Sequence, residues 1–279
     1  MRRSLPPPVP DQVKMAEADR TRLRATFDEA AERYDRARPG YPPAVFDDLA
    51  ELAGVGPGCR VLEIGCGTGQ ATVPLAERGC QIVAVELGAG LAVVARRNLA
   101  RFPDARVVVA AFEDWPLPPD SFDVVVAATA FHWIDPAVRV AKAAAALRPG
   151  GALAVISTHH VAGGDRGFFT DVQACYERWD PETTPPGLRL PTAAQVPMRS
   201  DELDRSGRFG PVAFRRHEWE LSYSSAAYLE LLRTYSGHIA MGPEARDGLF
   251  DCIADLIERH HGGRITKRYL TELQVAHAK

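Results

Sequence analysis

The sequence lacks long hydrophobic runs, has few cysteines and shows no excess of charge of either sign. Each shortage closes a class of function. No run of about 18 apolar residues occurs, so nothing reads as a membrane-spanning helix. Met1-Arg2-Arg3 leads into Ser-Leu-Pro-Pro-Pro rather than an apolar stretch, which argues against a signal peptide. The five cysteines, Cys59, Cys66, Cys80, Cys175 and Cys252, are odd in number and scattered, with no Cys-x-x-Cys pair. They predict free thiols in a reducing cytoplasm and no metal site. Lys and Arg number 33 against 36 Asp and Glu, a net charge of −3. Such a balance supplies no bulk attraction to nucleic acid or to an anionic membrane, so neither is expected as a partner.

What is present is a rhythm. The 279 residues suit one elaborated α/β domain, or one domain plus a cap. Residues 1–15 are Pro-rich and polar and predict a loose tail. Leu23, Phe27, Ala30, Ala31 and Tyr34 mark a helix over 16–36, broken by the prolines and glycine of "RARPGYPP". A short helix is expected over 43–53. Strands are then expected at 59–64, 80–86, 105–110, 122–128 and 152–157, the last after an "RPGG" turn at 148–151. Helical segments separate most of them. The strands are nearly continuous Val, Ile and Leu, which means that both faces are covered: a parallel, doubly wound sheet. After Ser157 the pattern loosens. One helix is expected near 167–179, a strand at 212–224, helices within about 224–262, and a last strand at 264–277. The last two strands would pair antiparallel and complete a seven-stranded, mostly parallel sheet. The organisation expected is an N-terminal tail and helical lid over 1–43, then a domain over 44–279 with a cap inserted at about 160–210.

One stretch carries the chemistry: "VLEIGCGTGQAT", Val61 to Thr72. A dinucleotide fingerprint has the form G-x-G-x-x-G. Here Gly65, Cys66, Gly67, Thr68 and Gly69 read G-x-G-x-G, and Gln70 holds the place of the third fingerprint glycine. No Gly-Lys-Ser/Thr follows, so the triphosphate loop fails too. Glu86 ends the second strand, where a carboxylate can accept both hydroxyls of a ribose. The combination fits an adenosine-containing ligand.

With "VAVEL", "AAFEDWPLPPDSFDVVVAATAFHWID" and "LRPGGALAVIS", the loop resembles class I S-adenosylmethionine-dependent methyltransferases over about residues 20–160. "YDRARPGYPP" and "FHWID" are similar to a small-molecule branch that includes trans-aconitate-type carboxyl methyltransferases. The resemblance implies a Rossmann-like methyltransferase fold with strand order 3-2-1-4-5-7-6 and S-adenosyl-L-methionine as cofactor. It implies cofactor contacts at Gly65, Cys66, Gly67, Gly69 and Gln70, with Glu86 and Leu87 at the ribose. Ala111, Phe112 and Glu113 would flank the adenine. Many relatives carry Asp where this chain has Ala111, and that acidic contact passes here to Glu113. Arg38, with Tyr34 beside it, is the candidate for the ligand's carboxylate. The carbonyls around Ala128 are acceptors for its ammonium.

For the reaction, His132 is the candidate general base, since it follows the fourth strand. Tyr41, Trp133, His159, His160 and Tyr235 are candidate acceptor contacts. The acceptor expected is a small molecule methylated at an oxygen, either carboxylate or hydroxyl; the oligomeric state stays open. Two alternatives remain at this point: a nicotinamide-dependent oxidoreductase with an altered fingerprint, and a non-catalytic protein that binds S-adenosylmethionine.

Overall fold

The computed structural model describes residues 31–118, 121–182, 187 and 189–279. The expected tail over 1–15 and the first part of the expected helix over 16–36, with Leu23, Phe27 and Ala30, lie outside them. In chain order the elements begin with α1 (Ala31–Ala37), α2 (Pro43–Ala53), β1 (Arg60–Ile64), α3 (Thr72–Glu77), β2 (Gln81–Glu86) and α4 (Ala89–Asn98). There follow β3 (Ala105–Val109), β4 (Phe122–Ala128), a 3-10 turn (Phe131–Trp133), α5 (Arg139–Ala146) and β5 (Leu147–His160). Then come α6 (Arg166–Asp171), α7 (Gln173–Trp179), a second 3-10 turn (Ala193–Gln195), α8 (Asp201–Ser206) and β6 (Ala213–Ser224). The last are α9 (Ser225–Leu232), α10 (Ser236–Ala240), α11 (Pro243–His260) and β7 (Arg264–His277).

The sheet has seven strands in the order β3-β2-β1-β4-β5-β7-β6. β1 to β5 pair in parallel, and β7 lies antiparallel between β5 and β6. This is the expected doubly wound arrangement. Period-two alternation divides each inner strand between two cores. Val61, Val124, Ala154 and Leu273 pack with α2 and α3 on one face. Leu62, Val125 and Leu153 pack with α5 and Leu203 of α8 on the other. A third cluster sits over the β6–β7 end, where Phe168, Leu231, Leu249, Ile253 and Ile257 of the late helices meet Tyr223, Ile265 and Tyr269 of the strands.

Three expectations need correction. β5 begins at Leu147, not near 152: Phe122 pairs with Leu147 and Val124 already with Ala152, so Arg148 to Gly151 stand out from the ladder as the expected turn. The helix near 167–179 is two helices, α6 and α7, joined at Val172. The cysteines are not all free: Cys175 of α7 is bonded to Cys252 of α11 across 77 residues, while Cys59, Cys66 and Cys80 keep their thiols. Their sequence distance hides the fact that both face the same small core under α7 and α11.

The bond yields a prediction. Denatured without reductant, the protein should titrate three thiols rather than five. Cys175→Ala should lower stability by about 2–4 kcal/mol, since a long closed loop is released; a urea midpoint unmoved by the change would contradict this.

Candidate active site

β1 and β4 are neighbours, but the chain leaves them on opposite faces, through α3 on one and α5 on the other. Diverging connections of this kind open a crevice at the carboxyl ends of the two strands. The glycine loop fills its floor. Gly65, Gly67 and Gly69 all have positive φ, at 67°, 58° and 101°. A side chain on Gly65 would strike Ala130, with Cβ atoms 2.7 Å apart. Only glycine can turn the backbone here and let the loop lie against the end of β4.

Glu86 holds the loop from the side. One carboxylate oxygen accepts from the Gly67 N–H and the other from the Gly88 N–H, each at 2.8 Å. Both bonds run to a buried carboxylate, so its position is fixed. A carboxylate oxygen has two lone-pair sites, so the group is of the kind that can also take a ligand hydroxyl. Leu87 beside it is exposed. Gln70 turns back on the loop, its Nε2 donating to Thr68 Oγ1 at 2.7 Å. Cys66 is buried, and burial followed by the nearby Glu63 and Glu86 carboxylates pushes its thiol well up, which makes it a lining group and not a nucleophile. Phe112 is buried in the core on the α5 face. The segment after β3 therefore offers a ligand Ala111, Glu113 and its own backbone. Glu113 also braces the loop after β4, accepting from the Asp135 N–H at 3.3 Å and, by its carbonyl, from Lys142 at 2.7 Å.

α1 and the loop after it cover this floor. The Tyr34 ring lies 3.6 Å from where a Cβ on Gly67 would stand. The Arg38 guanidinium is 5.2 Å from the Tyr34 ring centroid and 4.4 Å from that of Tyr235, and it donates to the Thr234 carbonyl at 2.8 Å. Its Nε is buried with no partner among the described residues. Tyr41 shares a hydrogen bond with Thr129 Oγ1 at 2.9 Å, and burial raises its phenol's pKa. Thr129 follows Ala128 at the end of β4 with φ at 54°, and among the described residues no other non-glycine has a positive φ. A β-branched residue there stores strain, and strain of this kind collects at functional sites.

The candidate acceptor contacts divide between the two faces. His132 is exposed and its ring stands 5.0 Å from that of Trp133. It lines a cleft of about 270 Å³ with Thr129, Ala130, Ser157, Arg139 and Gln274. His159 and His160 are consecutive in β5, so they point to opposite faces. His160 packs edge-on against Phe169 at 4.6 Å, within reach of Tyr269. Tyr235 lies on that same face with Arg38 over its ring.

Two site residues escaped the sequence reading. Lys267 of β7 is buried and donates to the Tyr235 hydroxyl at 2.8 Å. Glu63 of β1 is buried just before the loop, and its Oε2 has no partner among the described residues. Burial pushes the Glu63 carboxyl up to about 7, helped by the Glu86 charge and partly opposed by the Thr72 hydroxyl. The folded chain thus holds a proton that the unfolded chain releases near the ordinary Glu value. Stability should fall as pH rises from about 4.5 to 7, by roughly 3 kcal/mol for this group, and stay level above. Glu63→Gln, which cannot ionise, should gain on the wild type over that window. Melting temperatures of the two proteins from pH 4.5 to 8.5 would show it; a gap independent of pH would rule it out.

Comparison with known proteins agrees with this geometry. Residues 62–155 match the family model described as "Methyltransferase domain". An uncharacterized methyltransferase of Mycobacterium tuberculosis is 38% identical over 134 residues, covering 48% of this chain and 52% of that protein. A malonyl-[acyl-carrier protein] O-methyltransferase of Geobacter sulfurreducens is 36% identical over 121 residues, covering 42% and 45%. The chain spans about half the length of these curated relatives. Among solved structures, a protein of Anaeromyxobacter dehalogenans named for the type II methyltransferases superimposes with a TM-score of 0.58 at 26% identity, covering 85% of this chain and 97% of that one. A Haemonchus contortus phosphoethanolamine N-methyltransferase, solved with S-adenosyl-L-methionine, shares the fold at a TM-score of 0.52 and 18% identity, over 94% of this chain and 60% of that one. Residues 62–155, which carry the glycine loop, Glu86 and the end of β4, thus match the model of a methyltransferase domain.

Proposed function

We propose that the chain binds S-adenosylmethionine in the β1–β4 crevice and transfers its methyl group to an oxygen of a small-molecule acceptor. The observation that carries the reading is the glycine loop held open against Ala130, with Gly67 bonded to the Glu86 carboxylate. The donor set beside the loop suits the cofactor. Glu63 offers an unpartnered buried carboxylate oxygen and Arg38 an unpartnered buried Nε. Such a pair matches the ammonium and carboxylate of the methionine part, and Glu86 suits the ribose. When bound, the cofactor supplies a methyl group activated on a sulfonium.

The chain's own part is to position and to exclude water. Tyr34, Arg38 and Tyr41 close the near side, and the late helices pack over the β6–β7 end. Holding the two reactants in line is worth roughly 7–11 kcal/mol of the barrier. A net charge of −3 supports a small molecule over nucleic acid as the acceptor. The name of the Geobacter relative, an O-methyltransferase, supports oxygen as the acceptor atom. The likeness to trans-aconitate-type carboxyl methyltransferases is carried forward as the acceptor branch. We take residues 1–43 as lid and about 160–210 as cap. His132 is the proposed base, with Trp133, His159, His160 and Tyr235 at the acceptor. Among the described residues no helix is long and apolar enough to cross a membrane. A cytoplasmic location rests on the three free thiols, while the Cys175–Cys252 bond is of a kind that an oxidising compartment sustains.

Two measurements test the reading. Glu86→Ala should weaken S-adenosylhomocysteine binding by about 1.5–3 kcal/mol, the range for a hydrogen bond to a charged group, in calorimetry on folded protein. An unchanged affinity would remove Glu86 from the site. Methyl-labelled S-adenosylmethionine, incubated with metabolite, RNA and protein fractions in parallel, should label small molecules only. Label confined to macromolecules would overturn the proposal. In the same assay His132→Ala should cost about 10²–10⁴-fold if the oxygen is a hydroxyl, and little if it is a carboxylate, which has no proton to lose.

A further inference from the structure

Period-two alternation in β7 puts Ile265, Lys267, Tyr269 and Thr271 on one face. Ile265 and Tyr269 belong to the buried cluster under the late helices, so Lys267 is directed into the same interior. It is only 3% exposed. Its ammonium has three N–H donors and gives one to Tyr235 Oη, at 2.8 Å. Among the described residues no carboxylate comes within ion-pair distance of it. Its other neighbours are aromatic faces: it lies 5.0 Å from the ring centroids of Tyr235 and Tyr269. A buried ammonium with two idle donors is costly. A leucine or methionine would pack there at no such cost.

The surroundings deepen the demand for negative charge. Arg38 stands 4.4 Å from the centroid of the same Tyr235 ring; the cofactor's carboxylate would answer its charge and leave that of Lys267 unanswered. His160, which pairs across the sheet with Tyr269, has a buried Nε2 with no partner among the described residues. His238 bonds the Tyr176 hydroxyl through Nε2 at 3.0 Å, and its buried Nδ1 has no partner among the described residues. Both histidines have pKa values driven down, first by burial and then by the positive charge of Lys267, His238 to about 4. Neither histidine, neutral or protonated, can offset the Lys267 ammonium.

Resting on the methyl-transfer reading for where the acceptor lies, we propose that the acceptor is an organic anion whose charged group is bound by Lys267 and whose body lies against the rings of Tyr235 and Tyr269. A line of contacts, from Gly67 to Tyr34, Arg38, Tyr235 and Lys267, joins the loop to this lysine. The lysine thus stands at the far end of that line from the loop. It grips the acceptor by a group remote from the reacting oxygen and leaves that oxygen free to attack. A carboxylate and a phosphate share the chemistry that Lys267 recognises.

The test uses the full chain saturated with S-adenosylhomocysteine and three probes of similar shape: benzoate, phenyl phosphate and uncharged benzamide. Calorimetry should find at least one anion bound 30-fold or more tightly than benzamide, and the better of the two tells carboxylate from phosphate. Lys267→Met should abolish that preference with S-adenosylhomocysteine affinity unchanged, and Lys267→Arg should keep most of it. Equal binding of all three probes to the wild type, or a preference that survives Lys267→Met, would overturn the proposal. The wild-type comparison stands even where Lys267→Met does not fold. Failure of S-adenosylhomocysteine to bind the wild type is a separate result: it sinks the methyl-transfer reading, and the probe titration without it still decides the anion site.

Discussion

The parting of the chain at β1 and β4 is the constraint on which the site depends. Two adjacent parallel strands send their following helices to opposite faces, so no connection crosses the gap at their carboxyl ends. A backbone that must line this gap cannot stay extended. It turns through three positive-φ glycines, and the turn is stabilised because Glu86, from the next strand, accepts the Gly67 N–H. The same carboxylate holds Gly88, at the entry to α4. One buried side chain thereby sets the relative position of loop, strand end and helix. Strain at Thr129 sits on the opposite lip of the gap, where Tyr41 clamps its hydroxyl.

The reversal of β7 supplies the other half. A strand antiparallel to β5 begins where β5 ends, so its first residues reach the same edge of the sheet as the glycine loop. Lys267 and Tyr269 arrive there for that reason. A seventh parallel strand would have delivered its last residues instead, and would have needed a longer crossover.

Much of this was legible in the sequence. The strand order rested on motifs, but the strands themselves rested on continuous Val and Ile runs, which only a sheet covered on both faces requires. Residues 264–277 were readable as a strand to the residue. The glycine loop and Glu86 were readable because their chemistry is local. Glu63 was visible too, as the one acid in "VLEI", a strand that packs on both faces, yet its meaning lies in burial. Lys267 shares a face with Ile265 and Tyr269, an alternation present in "RITKRYL" that the charged residues around it obscured. The break at Val172 left no mark, since valine is no helix stop. The Cys175–Cys252 pairing is set by the packing of α7 on α11, which no spacing encodes.

α1 is held from both sides, and by unequal means. On the outside Arg97 of α4 grips Glu32 and Asp35, and Arg33 grips Glu230 of α9, all in pairs that are largely open to solvent. On the inside Arg38 bonds a carbonyl, wedged between two tyrosine rings. Dissolved salt screens the first set, whose charges stand in water, far more than the buried second. Ionic strength should therefore loosen the outer hold on this segment while the inner one persists. Raised ionic strength would then weaken the outer ion pairs of α1 without altering the floor of the crevice.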